Sequence, residues 1–479
     1  MRKSVSATIW SALDRVWSQI VGFVIGVILA RLLTPTDYGV VGICMVFITF
    51  SNVFIEAGFS NALIRKLDCT VRDYSTAFHF NAVMGLVMYV ALFVSSPFIA
   101  DYFDDQKLIS LTRVVSLMII FNSLCIVPNA ILTAELKMRK QAIINITSQF
   151  SSGFVAIIFA YKGYGIYALA IQAVLSSFLR TLLFWIVAKW WPTMEFSMDS
   201  LKYLWGFGSK LICANMLGVF FEEIYSVLIG KFVGKKELGL YSKGNSLSSH
   251  TNYVCNGVIE KVAVPLLSKV QGDKSVLKSK YKELTQLITC VMTFVSGLLI
   301  VIGKPLILLL FGVVWIDCVP VFQLLLVANI LYYVSTLTLV LLQVINHTEY
   351  TLKLEFFKKP VYLIMIFVLL QYGLFGLVIA QVASSFVAAV VNMSAPRKYI
   401  SYSYSEQLGD VKNYILAIVT AGLLTWGCDY LIGFSNYILQ ILIRTVIMVS
   451  VYICVLQLFR DSTYLRLRSQ VVTRVSGIL

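Results

Sequence analysis

The hydrophobic pattern along this chain is neither the two-residue alternation of a half-buried strand nor the narrow stripe of a soluble amphipathic helix. It is a succession of long apolar runs separated by short segments rich in charge, Gly and Pro. An α-helix needs about 20 such residues to cross the hydrocarbon core of a bilayer, and a helix satisfies its own backbone there. The runs predict spans near 8–31, 39–64, 77–100, 108–134, 140–161 and 165–189, then 203–230, 239–266, 283–303, 316–345, 353–371 and 374–394, and finally 411–432 and 436–458. The expected fold class is all-α integral membrane, with about 14 transmembrane helices. The weakest of these is 239–266, which Ser and Asn interrupt.

Composition agrees and narrows the function classes. Of 479 residues, 59% are hydrophobic and 13% charged, against about 25% charged in soluble domains. An ordinary soluble enzyme, a disordered chain and a secreted disulfide scaffold are excluded. The net charge of +15 would suggest nucleic acid in a soluble protein, but no soluble basic module exists to carry that role, and cytoplasmic loops of membrane proteins are enriched in Lys and Arg. With the N-terminus placed inside, the inner segments hold 25 cations and the outer ones 8. That bias predicts an even number of spans with both termini cytoplasmic, the first span being uncleaved. The outer cluster Lys231–Lys243 is the exception. Nine scattered Cys without a CxxC, and three isolated His, give no zinc or disulfide framework. No Walker, GxSxG or HExxH motif is present, so the chain reads as a non-enzyme without a cofactor. Asp101-Tyr-Phe-Asp104-Asp105 reads as a solvated loop.

The chain also repeats itself. Leu29-Ala-Arg-Leu-Leu-Thr-Pro-Thr-Asp-Tyr-Gly39 lines up with Ile229-Gly-Lys-Phe-Val-Gly-Lys-Lys-Glu-Leu-Gly239, and Asn52-Val-Phe-Ile-Glu56 with Asn256-Gly-Val-Ile-Glu260. Pro97-Phe-Ile-Ala matches Pro305-Leu-Ile-Leu, and Tyr164-Gly-Ile-Tyr matches Tyr372-Gly-Leu-Phe. The offsets, from 200 to 208, drift slowly and in order. This register predicts two six-helix lobes, 1–192 and 200–398, in a parallel pseudo-two-fold repeat. An appended helix pair follows at 409–460 and a basic cytoplasmic tail at 461–479. The repeat places Lys231 at the position of Arg31, which makes its outer location structural.

Charged side chains are costly at bilayer depth and mark functional interiors. The first span carries Ser11, Arg15, Ser18, Gly22 and Gly26 on one face, and the second Thr49, Asn52, Glu56 and Ser60. Span 7 offers Lys210, Asn215, Glu222 and Glu223, and span 8 Asn252, Asn256 and Glu260. Arg180 lies mid-span. The candidate cavity set is therefore Arg15, Asn52, Glu56, Arg180, Lys210, Asn215, Glu222, Glu223, Asn252, Asn256 and Glu260. Its cations suit a phosphate-bearing anion; its glutamates suit proton uptake or gating pairs. The bland alternative is helix glue by small and polar residues.

The motif Leu29-Ala-Arg-Leu-Leu-Thr-Pro-Thr-Asp-Tyr-Gly39, followed by Val46-Phe47 and Glu56-Ala-Gly-Phe-Ser-Asn-Ala-Leu-Ile-Arg65, resembles the opening of bacterial polysaccharide transporters. These are the Wzx/WzxC-type flippases of the multidrug/oligosaccharidyl-lipid/polysaccharide (MOP) exporter superfamily, which includes the MATE exporters. Phe311-Gly-x-x-Trp315 and the extra helix pair are weaker likenesses. The resemblance implies translocation of undecaprenyl-pyrophosphate-linked oligosaccharide to the periplasmic face for O-antigen, capsule or exopolysaccharide assembly. It further implies alternating access of two lobes, H+ or Na+ coupling, residence in the bacterial inner membrane as a monomer, and a polymerase and glycosyltransferases as pathway partners. Arg31, Pro35, Asp37 and Gly39 occupy a span–turn–span corner: Pro starts the turn, Asp caps, Gly relieves the backbone. A sodium- or proton-coupled drug or metabolite exporter of the same superfamily is the alternative, and a membrane polysaccharide synthase a more distant one.

Overall fold

The computed structural model describes residues 2–56, 59–65, 69–432, 436–461, 463–466 and 468–469. Among them there are helices and turns and no strands. The order is α1 (Arg2–Leu32), α2 (Pro35–Glu56), α3 (Phe59–Arg65), α4 (Val71–Tyr102), α5 (Lys107–Val115), α6 (Leu117–Ala134), α7 (Met138–Tyr161), α8 (Ile166–Ala188) and α9 (Met198–Leu228). Then come α10 (Lys235–Val258), α11 (Val264–Lys269), α12 (Lys274–Phe311), α13 (Cys318–Val344), α14 (Thr348–Leu369), α15 (Gly373–Asn392), α16 (Ser394–Ile400), α17 (Tyr404–Ile432) and α18 (Tyr437–Leu458).

Among the described residues eleven stretches are long and apolar enough to cross a membrane, and one of them, 348–400, comprises the helices α14, α15 and α16. The two remaining expected spans also form helices. α1 contains the apolar helical stretch Val16–Leu32; α10, the Ser- and Asn-studded segment, falls short on apolarity. The protein is a multi-pass membrane protein. Its lipid-facing surface is plain on α4, where Val83, Leu86, Val87, Val90, Val94 and Phe98 are exposed. Aliphatic side chains in that number face water only at large cost.

Local chemistry sets the helix ends. Thr70 and Asp73 form a reciprocal capping box on α4, the Thr70 hydroxyl accepting from the Asp73 amide and the Asp73 carboxylate from the Thr70 amide at 2.9 Å. Asp273 caps α12 by accepting from Ser275 and Val276. The repeat is written into the backbone as well. Pro97 and Pro305 each lie inside the long helices α4 and α12. Gly165 and Gly373 have φ of 53° and 65° and open α8 and α15, a conformation that favours glycine.

The chain divides into two compact units, Met1–Ser242 and Lys243–Leu479. In the first, α1 packs on α7, α7 on α8, and α4 on α6; Phe59, Leu63, Phe78, Val127 and Leu204 form a core capped by Trp185 and Trp190. In the second, α12 packs on α13, with Ile259, Leu267, Tyr281, Ile288, Tyr333 and Leu341 buried together. The appended pair α17–α18 packs on α12 of the same unit, where Tyr414, Ile418, Met448 and Tyr452 enclose Cys290.

Candidate functional site

In the first unit three of the candidate residues converge through one that sequence reasoning missed. Asn122 of α6 donates from Nδ2 to Asn52 Oδ1 of α2 at 3.4 Å and accepts at Oδ1 from Arg180 Nη2 of α8 at the same distance. Glu56, one turn beyond Asn52 on α2, is in electrostatic reach of Arg180. Both hydrogen bonds are long, and the buried Arg180 Nε has no partner among the described residues. A guanidinium held by a long hydrogen bond, with a buried N–H to spare, can donate to a phosphate oxygen without first breaking a strong bond. Arg15 and Lys210 have side chains outside the described residues. Asn215 and Glu222 are exposed on α9, and Glu223, half-buried, hydrogen-bonds Ser226.

The second unit has a counterpart. Asn252 of α10 donates to Asn329 Oδ1 of α13 at 3.0 Å, and Asn329 donates to the Ser248 carbonyl at 2.9 Å and Thr251 Oγ1 at 3.2 Å. Tyr332 donates to Asn256 Oδ1 at 3.3 Å, and the buried Asn252 Oδ1 has no partner among the described residues. Glu260 is exposed. Asn122 and Asn329 are 207 positions apart, within the repeat register, so comparing the two copies could have revealed both. This cluster carries amides and phenols where the first unit carries an arginine.

The motif corner has a geometry of its own. Thr34 caps α2: its amide and hydroxyl donate to Asp37 Oδ2 at 2.9 and 2.8 Å, and Pro35 opens the helix, where no amide is needed. Gly39 lies inside the first turns of α2 in ordinary helical conformation, so backbone relief is not its role. A Cβ on Gly39 would stand 1.7 Å from the Lys235 carbonyl oxygen, and one on Gly239 would stand 1.7 Å from the Pro35 carbonyl oxygen. The two copies of the motif thus cross reciprocally through their glycines, both within the first unit. Beside the crossing, Lys231 pairs with Asp104 at 2.8 Å and Lys235 with Asp105 at 2.9 Å. Asp104 and Asp105, expected as plain solvated loop, are partners of the exceptional outer lysines. The hydrogen bond from Lys231 and its charge hold the Asp104 carboxyl below its ordinary value. Partial burial would raise Asp105, but the hydrogen bonds from Lys235 and the Lys107 amide, with the lysine charges, leave it lowered.

Other intramembrane charges also find partners. Lys358 of α14 is buried against Glu355 and donates to Asn392 Oδ1 of α15 at 3.1 Å. Arg113 donates to Ser96 at 2.9 Å and lies over the Phe93 ring. Asp14 accepts from Asn145 of α7 at 3.1 Å.

A helical membrane protein with two repeated helix sets and a hairpin appended on α12 has the architecture of the MOP exporters. The structure of the lipid II flippase MurJ in an inward closed conformation matches it with TM-score 0.73, over 95% of this chain and 99% of that one at 16% identity. An inward-facing MATE multidrug transporter matches with TM-score 0.62, over 80% and 94%. The family profile described as polysaccharide biosynthesis protein matches residues 28–320, and the chain belongs to that family. It is 25% identical to the teichuronic acid biosynthesis protein TuaB of Bacillus subtilis over 69% of each chain. It is also 25% identical to the lipopolysaccharide biosynthesis protein WzxC of Escherichia coli, over 74% of this chain and 73% of that one. The succinoglycan biosynthesis transport protein ExoT of Rhizobium meliloti matches at 25% over 66% of this chain and 64% of its own length.

Proposed function

We propose that the protein is a flippase that carries lipid-linked oligosaccharide units across the bacterial inner membrane for assembly of a cell-surface polysaccharide. The observation that carries the reading is the family match over residues 28–320, from the first copy of the repeat into the second, joined to relatives named for polysaccharide biosynthesis and transport. The site chemistry supports it. Arg180, with its unpartnered Nε, suits the pyrophosphate link of the carrier lipid, since guanidinium–phosphate pairing is strong where water is scarce. The amides and phenols of Asn252, Asn256, Asn329 and Tyr332 suit sugar hydroxyls, which need donors and acceptors and no charge.

In this reading the glycolipid loads from the cytoplasmic side while the glycine crossing and the two Asp–Lys pairs hold the opposite face closed; separation of the crossing then opens it. Coupling to H+ or Na+ through Glu56 beside Arg180 belongs to the proposal, as do cytoplasmic termini, monomeric action and delivery to a polymerase. The test is sidedness of lipid-linked oligosaccharide in cells depleted of the protein, with spheroplasts probed by a non-permeant lectin. Glycolipid trapped inside with loss of polymer is expected. Unchanged exposure, with no second flippase present, overturns the reading and leaves drug or metabolite export by the same fold.

A further inference from the structure

In the second unit, one face of the membrane carries a groove of about 380 Å³ between α14, α15 and the start of α17. Its floor is apolar, made by Leu354, Phe357, Val390 and Val391; its polar lining is Lys353, Ser394 and the phenols of Tyr350 and Tyr404. Cations sit on both tyrosines. Lys398 Nζ lies 4.5 Å from the centre of the Tyr350 ring and Arg397 Cζ lies 5.2 Å from that of Tyr404. Phe356 and Phe357 beside the groove are 85% and 66% exposed, which places this side of α14 against acyl chains.

The charge inventory decides what the groove can hold. Glu349 is engaged by His347 at 3.0 Å, Glu355 by Lys358 and Lys359, and Glu406 by Lys278 at 3.1 Å. Lys353 lies within the field of Glu349, whose hydrogen-bonded neighbour His347 carries charge only when protonated, and Arg397 and Lys398 have no carboxylate partner among the described residues. Around this apolar slot six cations, Lys278, Lys353, Lys358, Lys359, Arg397 and Lys398, stand against the three carboxylates Glu349, Glu355 and Glu406, a net surplus of three. Basic pockets between transmembrane helices bind anionic headgroups in this way, with aromatic rings at the interface level.

We propose that this groove is a binding site for an anionic phospholipid of the bilayer, one acyl chain lying on Leu354, Phe357 and Val391 and the phosphate held by Lys353, Arg397 and Lys398. The lining lacks amides and carboxylates, the groups that read sugar hydroxyls, so it fits a simple phosphodiester headgroup better than a glycan-bearing lipid. The site is separate from the Arg180 and Asn329 clusters and does not rest on the flippase reading.

The experiment is native mass spectrometry of the full chain from nanodiscs of equimolar phosphatidylglycerol and phosphatidylcholine. Wild type is expected to retain phosphatidylglycerol preferentially. Lys353→Ala/Lys398→Ala should lower that retention roughly 25-fold, about fivefold for each cation near the surface. Lys353→Arg/Lys398→Arg should preserve it, showing that the fold tolerates change there. Lys274→Ala/Lys412→Ala, which removes two cations elsewhere, should leave it unchanged. Equal retention of the two lipids by wild type, or an equal loss in the Lys274/Lys412 variant, overturns the site. Preferential displacement of phosphatidylglycerol by equimolar undecaprenyl phosphate would assign the groove to a polyprenyl lipid instead and overturn this assignment.

Discussion

Gly39→Ala is the sharpest test of the motif crossing. The new Cβ would lie 1.7 Å from the Lys235 carbonyl oxygen and 2.7 Å from its carbon, where the closest weak C–H···O contacts have about 3.3 Å between carbon and oxygen. The obstacle is backbone, so no rotamer relieves it and the helices must part by about 1.6 Å at that point. Overpacking of this kind costs about 1–3 kcal/mol. Ala also raises helix propensity by about 1 kcal/mol over Gly, but α2 is helical whether the crossing is closed or open, so that gain cancels from the conformational equilibrium. The two ion pairs beside the crossing favour the closed state, but solvent screens them and they are too weak to offset a backbone clash. The closed population should therefore fall by roughly 5- to 150-fold relative to the open one. Spin labels at the exposed positions 107 and 236, in a cysteine-free background in nanodiscs, would report it as a shift of the distance distribution to longer values. Gly239→Ala should do the same. The double variant should add little, because both methyl groups need the same separation. An unchanged distribution in both single variants, with the protein folded, refutes the role of the glycines.

The remaining predictions concern charge and polar partners. The pairing of Asp104 and Asp105 with Lys231 and Lys235 involves carboxyls whose values are lowered in the folded state. Its contribution is therefore complete above the ordinary aspartate value of about 4 and is lost as pH falls through the depressed values; the same label pair should show no change between pH 8 and 6 and an opening only under strong acid. Asn122→Ala removes the amide that orients Arg180 and should reduce transport with normal expression, while Asn122→Asp, which gives Arg180 a competing carboxylate, should be worse; equal effects would point to packing alone. Lys358→Ala removes the buried partner of Glu355, which keeps Lys359, and leaves Asn392 Oδ1 without its donor; it should destabilise the protein by about 1–3 kcal/mol, read as thermal unfolding in detergent, whereas Glu355→Leu/Lys358→Met should come close to wild type. Trp315 is fully buried behind Gly312, which ends α12 at a φ of 89°; Trp315→Ala should cost about 3–5 kcal/mol, and a loss below 1 kcal/mol would show that the turn is loosely packed.

What the sequence discloses here is set by the range of the interaction that fixes each feature. Span length and loop charge act locally or additively, so the helix order was legible, and the slow offset exposed the repeat down to the paired Pro97/Pro305 and Gly165/Gly373 positions. Thr34-Pro35-x-Asp37 was legible as a helix start because a cap is made within four residues. Gly39 was misread as a backbone relief because nothing in its own neighbourhood says that another helix will cross 200 residues later. Asp104 and Lys231 are likewise each ordinary in isolation, and only their pairing gives them a role. The spacing rule that picked out Asn52 and Asn252 works along one helix and is blind to Asn122 and Asn329, which head no polar stripe on their own helices. Those two amides matter because each finds its partner on another helix. The same reasoning ranks the exposed Asn215 and Glu222 of α9 below Arg180. An exposed polar group without a fixed partner is not preorganised for anything, whereas Arg180 is already aimed by Asn122 and keeps one N–H unspent.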